Sequence, residues 1–132
     1  MSTAQPSQAS QSIRILPESH DDLIVFEYDG YITEHEYNSV LWSRLSEMLK
    51  KYGKLRLVCR FTKDYEGWEE GAAQANMQNI MEHVGYVKKI AYVNPPSSKV
   101  FQTKLLGSKL FTGEIKYYNL DQFDQAVAWA NE

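Results

Sequence analysis

Side chains able to do chemistry are few along this chain, and they are scattered. The three histidines, His20, His35 and His83, fall on a loop, at a helix start and at a helix end. None belongs to an H-E-x-x-H or other paired spacing, so no metal site is expected. His83, in the last turn of its helix, complements the helix dipole, and that role suffices for it. Cys59 sits in mid-strand with no base beside it in sequence, which reads as a buried structural thiol. A single cysteine allows neither an intramolecular disulfide nor a thiolate zinc site. Asp64, Glu66, Glu69 and Glu70 gather where a second helix begins. Carboxylates there stabilise the helix dipole, whereas acid–base catalysis would require one of them to be desolvated. Gly107-Ser108-Lys109 resembles the end of a phosphate loop but lacks the upstream glycine and strand.

Charge narrows the partners. The chain of 132 residues carries 14 Lys plus Arg against 17 Asp plus Glu, a net charge of -3. A domain built to coat nucleic acid would show a basic footprint instead. Six lysines (Lys88, Lys89, Lys99, Lys104, Lys109 and Lys116) face only Glu114 over the corresponding stretch. Such a bias would attract anionic lipid or an acidic protein surface if the lysines converged, and a solvated face is the simpler reading. No apolar run is long enough to span a bilayer, so integral membrane association is not expected. Residues 1–12, MSTAQPSQASQS, are small and polar, and are expected to form a flexible tail. They show neither a basic nor an apolar signal region, so a cytoplasmic location is expected. Residues 13–132 are one domain's worth of chain, and a hydrophobic share of 43% over the whole sequence supplies enough apolar material for a core.

The elements that must position these residues follow from periodicity. Ile13–Leu16 and Leu23–Tyr28 read as strands joined in a hairpin across Pro17–Asp22. Gly30 marks a bend, after which Thr33-Glu34-His35-Glu36 is a capping box with Glu36 reaching back to the N-cap. Tyr37, Leu41, Leu45, Met48, Leu49 and Tyr52 then recur at helical spacing until Gly53 supplies a left-handed stop. Along Leu55–Phe61, Leu55, Leu57, Cys59 and Phe61 point one way, and Arg56, Val58 and Arg60 the other. Two arginines on one face predict helices packed mainly on the opposite side. A second helix is predicted from about Glu66 to His83, then a strand over Val87–Val93. A weaker third helix follows, capped by Ser97 and running through Val100, Phe101 and Leu105. Glu114–Tyr118 is the last strand, and Asp121 caps a final helix. The order ββαβαβαβα predicts an α/β domain with a small, mostly parallel five-stranded sheet, its first strand antiparallel at an edge.

Open α/β sheets bind ligands beyond the carboxyl ends of their strands. There the sequence offers Tyr31, Thr62, Tyr65, Trp68 and Asn94 as candidate ligand-binding residues, with no catalytic or metal set. Tyr65 and Trp68 are close enough to make one aromatic wall. The structural alternative has Trp68 plugging the core beneath the second helix with Tyr65 more exposed, and it is the one favoured here.

Asp29-Gly30-Tyr31-Ile32-Thr33 leading into a capped helix, Glu66-Gly67-Trp68, Ile115-Lys116-Tyr117-Tyr118 and Ala126-Val127-Ala128-Trp129 together resemble the SpoIIAA-like family of STAS-type domains. The resemblance covers nearly all of the chain after residue 12, and it implies a curved β/α superhelical sheet. That fold is shared with anti-sigma-factor antagonists and is similar to lipid-carrying CRAL-TRIO domains. The implied function is a non-catalytic binding or regulatory module without a cofactor, with a protein or small-ligand partner; a homodimer is expected from the residues themselves, because the 9 Tyr and the arginine-bearing sheet face leave surface that a symmetric partner could cover. A carrier or sensor of a small amphipathic, lipid-like molecule is the alternative, and a small hydrolase or transferase the weakest. Anti-sigma-factor antagonists carry a phosphorylated serine where the second helix begins. Here Thr62-Lys63-Asp64-Tyr65-Glu66-Gly67-Trp68 holds no serine. Incubation with cell extract and ATP is therefore expected to add no stoichiometric phosphate by intact mass; one phosphate mapped to Thr62 or Tyr65 would refute this.

Overall fold

A computed structural model of the chain describes residues 12–96 and 113–132. Residues 1–11 of the tail expected over 1–12, the third helix beginning at Ser97, and Lys99, Lys104 and Lys109 lie outside the described residues. The main sheet has five strands: β1 (Ile13–Ile15), β2 (Leu23–Tyr28), β4 (Leu55–Phe61), β6 (Val87–Val93) and β7 (Glu114–Tyr118). Their order across the sheet is β1-β2-β4-β6-β7. Only β1 runs antiparallel to its neighbour, and the other three pairings are parallel. The edge hairpin and parallel centre match the sequence reading. Two very short strands, β3 (Tyr31–Ile32) and β5 (Gly67–Trp68), pair in parallel outside the main sheet.

Helix α1 begins at Glu34–Glu36, widens into a π-helical segment over Tyr37–Trp42 and continues as Ser43–Tyr52. It ends where predicted, with Gly53 in the left-handed conformation at φ 70°. Helix α2 spans Glu70–His83 and α3 spans Phe123–Asn131. The expected start of α2 near Glu66 is corrected, because Gly67 and Trp68 are drawn into β5 instead. Gly67 has φ +113°, a region that side chains with a Cβ rarely enter. That backbone lets Glu66 donate to the Gly30 carbonyl at 2.7 Å and Glu69 to the Ile32 carbonyl at 2.7 Å.

Three local expectations change with tertiary contacts. Thr33 does cap α1, accepting from the Glu36 amide at 3.2 Å. The Glu36 carboxylate, however, does not complete the capping box: it accepts from the Ser12 amide, the Ser12 hydroxyl at 2.7 Å and the Ile13 amide at 2.8 Å. Ser12, assigned to the tail from sequence, is accordingly buried and also accepts from the Asp29 amide at 2.8 Å. At the last helix the chain turns earlier than Asp121. Asn119 is the N-cap of a short 3-10 turn, its amide donating to Gln122 Oε1 at 2.9 Å.

The larger correction concerns the sheet's second face. The face carrying Ile24, Phe26, Tyr28, Leu55, Cys59 and Phe61 packs against α1 and α2. The other face, with Leu23, Val25, Val58, Ala91 and Val93, is not left to solvent: α3 covers it with Ala126, Trp129 and Ala130. The two arginines fit there because β2 supplies carboxylates. Glu27 is the cross-strand partner of Arg60 and accepts from it at 2.7 and 3.0 Å, while Arg14 reaches the same carboxylate at 2.7 Å. Asp22 accepts from Arg56 at 2.6 and 3.1 Å, and Arg56 also donates to the Ala130 carbonyl at 2.7 Å, holding the end of α3. The Arg60 guanidinium lies 4.1 Å from the centre of the Phe123 ring.

Burial pushes the Asp22 carboxyl up, but the Arg56 hydrogen bonds and charge, aided by Lys54, outweigh it and leave it below its ordinary value. A carboxylate depressed in the folded state contributes stability above its unfolded pKa of about 3.9, and this is lost as pH falls through the lower folded value. Denaturant melts are thus expected to show stability declining below about pH 4, with part of that slope gone in Asp22→Asn. At neutral pH the same substitution should cost about 1.5–3 kcal/mol, as for a hydrogen bond to a charged group. An unchanged acid slope in the variant would contradict the assignment.

Candidate functional site

Between the sheet face of Phe26 and Tyr28 and the helices α1 and α2 lies a pocket of about 160 Å³. Its floor comes from alternate residues of the strands, among them Leu57, Cys59, Ile90 and Ile115. One wall is α1. A π-helical turn is wider than an α-turn and brings residues five apart onto one side, so Tyr37, Leu41 and Trp42 all line the space. The facing wall is α2, which contributes Asn76, Met77, Asn79, Ile80, Met81 and His83. Trp68 closes the end nearest the short β3–β5 ribbon, with its ring 4.8 Å from that of Tyr28 and 6.0 Å from that of Tyr37.

The lining is mainly hydrocarbon and aromatic, and its polar groups lie along α2. Asn79 donates from Nδ2 to the Tyr37 hydroxyl at 3.3 Å. His83 Nδ1 lies 2.9 Å from the Asn79 carbonyl, which can only accept, so that nitrogen carries the proton. The imidazole also packs against Trp42, with ring centres 5.1 Å apart. The sequence reading gave His83 a dipole role alone and did not single out Asn76. The available signal was the spacing of Asn76, Asn79 and His83, which repeats on one helical face among apolar residues.

Of the residues expected at the strand ends, only Trp68 lines this pocket. It is half-buried rather than a fully buried plug, and Tyr65 beside it is half-buried as well. Tyr65 packs edge-on against Phe61 at 4.9 Å, and burial pushes its phenol up to about 12. Thr62 and Asn94 serve the backbone. The Thr62 hydroxyl donates to Asp29 at 2.6 Å. Asn94, at φ 57°, donates from its side chain to the Phe61 carbonyl at 3.0 Å and from its amide to the Tyr118 carbonyl at 2.8 Å. Tyr31 is half exposed, at 50%. The five do not form one cluster, because the strand-end crevice is filled by these ties and the free volume lies beneath the helices.

Cys59 is buried on the pocket floor, and burial holds its thiol well above its ordinary value. Among the described residues no three His, Cys, Asp or Glu side chains stand close enough to share a metal ion. Of the lysine-rich stretch, Lys89 and Lys116 meet on the opposite face, where their ammonium groups lie 4.8 and 5.2 Å from the centre of the Trp129 ring. No described helix is long and apolar enough to cross a membrane.

The family model described as SpoIIAA-like matches residues 23–131, and the chain belongs to that family. Among solved structures it is similar to an uncharacterized protein of the DUF3478 family with a SpoIIAA-like fold from Shewanella loihica PV-4. The TM-score is 0.65 at 18% identity, covering 90% of this chain and 93% of that one, a likeness of fold. No curated protein matches the chain.

Two measurements probe the pocket's walls. Trp68→Ala should destabilise the fold by about 2 kcal/mol, less than the 3–5 kcal/mol of a fully buried aromatic; a loss in that full range would restore the core-plug reading. Cys59 should resist iodoacetamide in the native protein and react on unfolding, since the thiol is protonated and covered. Rapid native alkylation would show the floor to be open.

Proposed function

We propose that this protein is a non-catalytic SpoIIAA-like binding module whose pocket holds a small amphipathic ligand, which it carries or senses. The observation that carries this reading is the apolar pocket of about 160 Å³ bounded by Trp42 and Trp68. Its volume is close to that of apolar cavities of roughly 150 Å³ that accept a benzene-sized guest. Pockets lined by aromatic and aliphatic groups with a few polar atoms are the usual form of small-molecule sites. The reading also has the module act in the cytoplasm as a homodimer, for which Tyr117 on edge strand β7, 42% exposed, offers contact surface.

Bromobenzene tests the pocket directly, because its heavy atom quenches nearby tryptophan. Saturable quenching of Trp42 and Trp68 is expected in the wild-type protein and should be lost in Leu57→Phe, which fills the floor. Linear, non-saturating quenching that is identical in both proteins would refute the proposal. Light scattering at micromolar concentration tests the dimer, and a monomer there would remove that part alone.

A further inference from the structure

The ligand class can be named more closely from the pocket's polar atoms, an inference that rests on the binding-module reading above. Aspartate, glutamate, lysine and arginine are all absent from the described lining residues, and His83 is its one side chain that could carry a positive charge. An ion entering such a site would lose its water without gaining a fixed opposite charge from the described lining, which disfavours it. A neutral hydroxyl or amide needs only one or two hydrogen bonds to compensate its desolvation.

Those bonds are on offer at one wall. The Asn76 side chain makes no hydrogen bond to a described residue. Asn79 uses an Nδ2 proton toward Tyr37 while its Oδ1 makes no bond to a described residue. The buried Tyr37 hydroxyl accepts from Asn79, so its own proton is free to be donated. Donor and acceptor thus sit together at the edge of a hydrocarbon-lined space. A purely apolar guest would use none of these groups, and a charged one would find no fixed opposite charge among the described lining residues. We infer that the pocket selects a small uncharged amphiphile, with an aromatic or short aliphatic body and a single hydroxyl or amide head read by Asn76, Asn79 and Tyr37.

Four ligands of one shape separate the terms: benzyl alcohol, benzoate, benzylamine and toluene, each titrated at neutral pH by ligand-observed NMR. Benzyl alcohol is expected to bind about tenfold more tightly than either ion and several-fold more tightly than toluene. In the double variant Asn76→Leu/Asn79→Leu, checked for folding by its melt, the alcohol-to-toluene ratio should fall toward one. Toluene binding as well as the alcohol, or benzoate binding better, would overturn the selectivity while leaving an apolar carrier intact. Binding of none of the four would overturn both readings. The wild-type comparison stands by itself if the double variant does not fold.

Discussion

The sheet depends on one electrostatic constraint: its central strand is covered on both faces while carrying two arginines. Arg56 and Arg60 point toward α3, and burying a guanidinium without a partner would cost several kcal/mol. The neighbouring strand resolves this in register, with Glu27 opposite Arg60 and Asp22 just before the residue paired with Arg56. The carboxylates are buried, so the pairs act at lower dielectric than surface ion pairs and fix the alignment of β2 on β4. A slip of one residue would turn both arginines into the apolar face and both core rows outward. Because Arg56 also holds the Ala130 carbonyl, the same pairing seats the C-terminal helix.

With α3 satisfied on one face, the opposite face packs in a different way. Phe26, Tyr28, Phe61 and Tyr92 form a chain of tilted and edge-on rings rather than a layer of interlocked aliphatic groups. The π-helical segment of α1 and the mixed polar–apolar face of α2 meet this layer, and the pocket is the volume that remains. The positive-φ Gly67 places Trp68 at its end, so a backbone requirement in a two-residue strand positions a binding-site wall.

Polar residues inside the fold divide into two kinds. Thr62, Asn94, Ser12 and Glu36 join loop or terminal backbone to the sheet and helix, and their hydrogen bonds are made within the protein. Asn76 and the Oδ1 of Asn79 are left without a described partner beside free volume. The first kind stabilises a shape, and the second gives that shape a chemical preference. Residue type does not separate them, since an asparagine occurs in each.

The sequence by itself determined the order of the five main-sheet strands and of helices α1, α2 and α3 among them, the parallel centre with its antiparallel edge hairpin, and the Gly53 helix stop. These follow from alternation, helical spacing and glycine conformation, which act within a few residues of one another. It also placed Leu55, Leu57, Cys59 and Phe61 on one face of β4. Tertiary structure alone decided what each face meets. Arg56 and Arg60 suggested an open face because the partners Asp22 and Glu27 lie some 33 residues away and become neighbours only through strand pairing. Glu36 satisfied a local capping pattern, yet its carboxylate went to Ser12 and Ile13 because the edge strand brought three donors to it. Trp68 was legible as a site residue, whereas Asn76, Asn79 and Tyr37 were not. A pocket is volume left between packed elements, and no local pattern of residues encodes where packing leaves it.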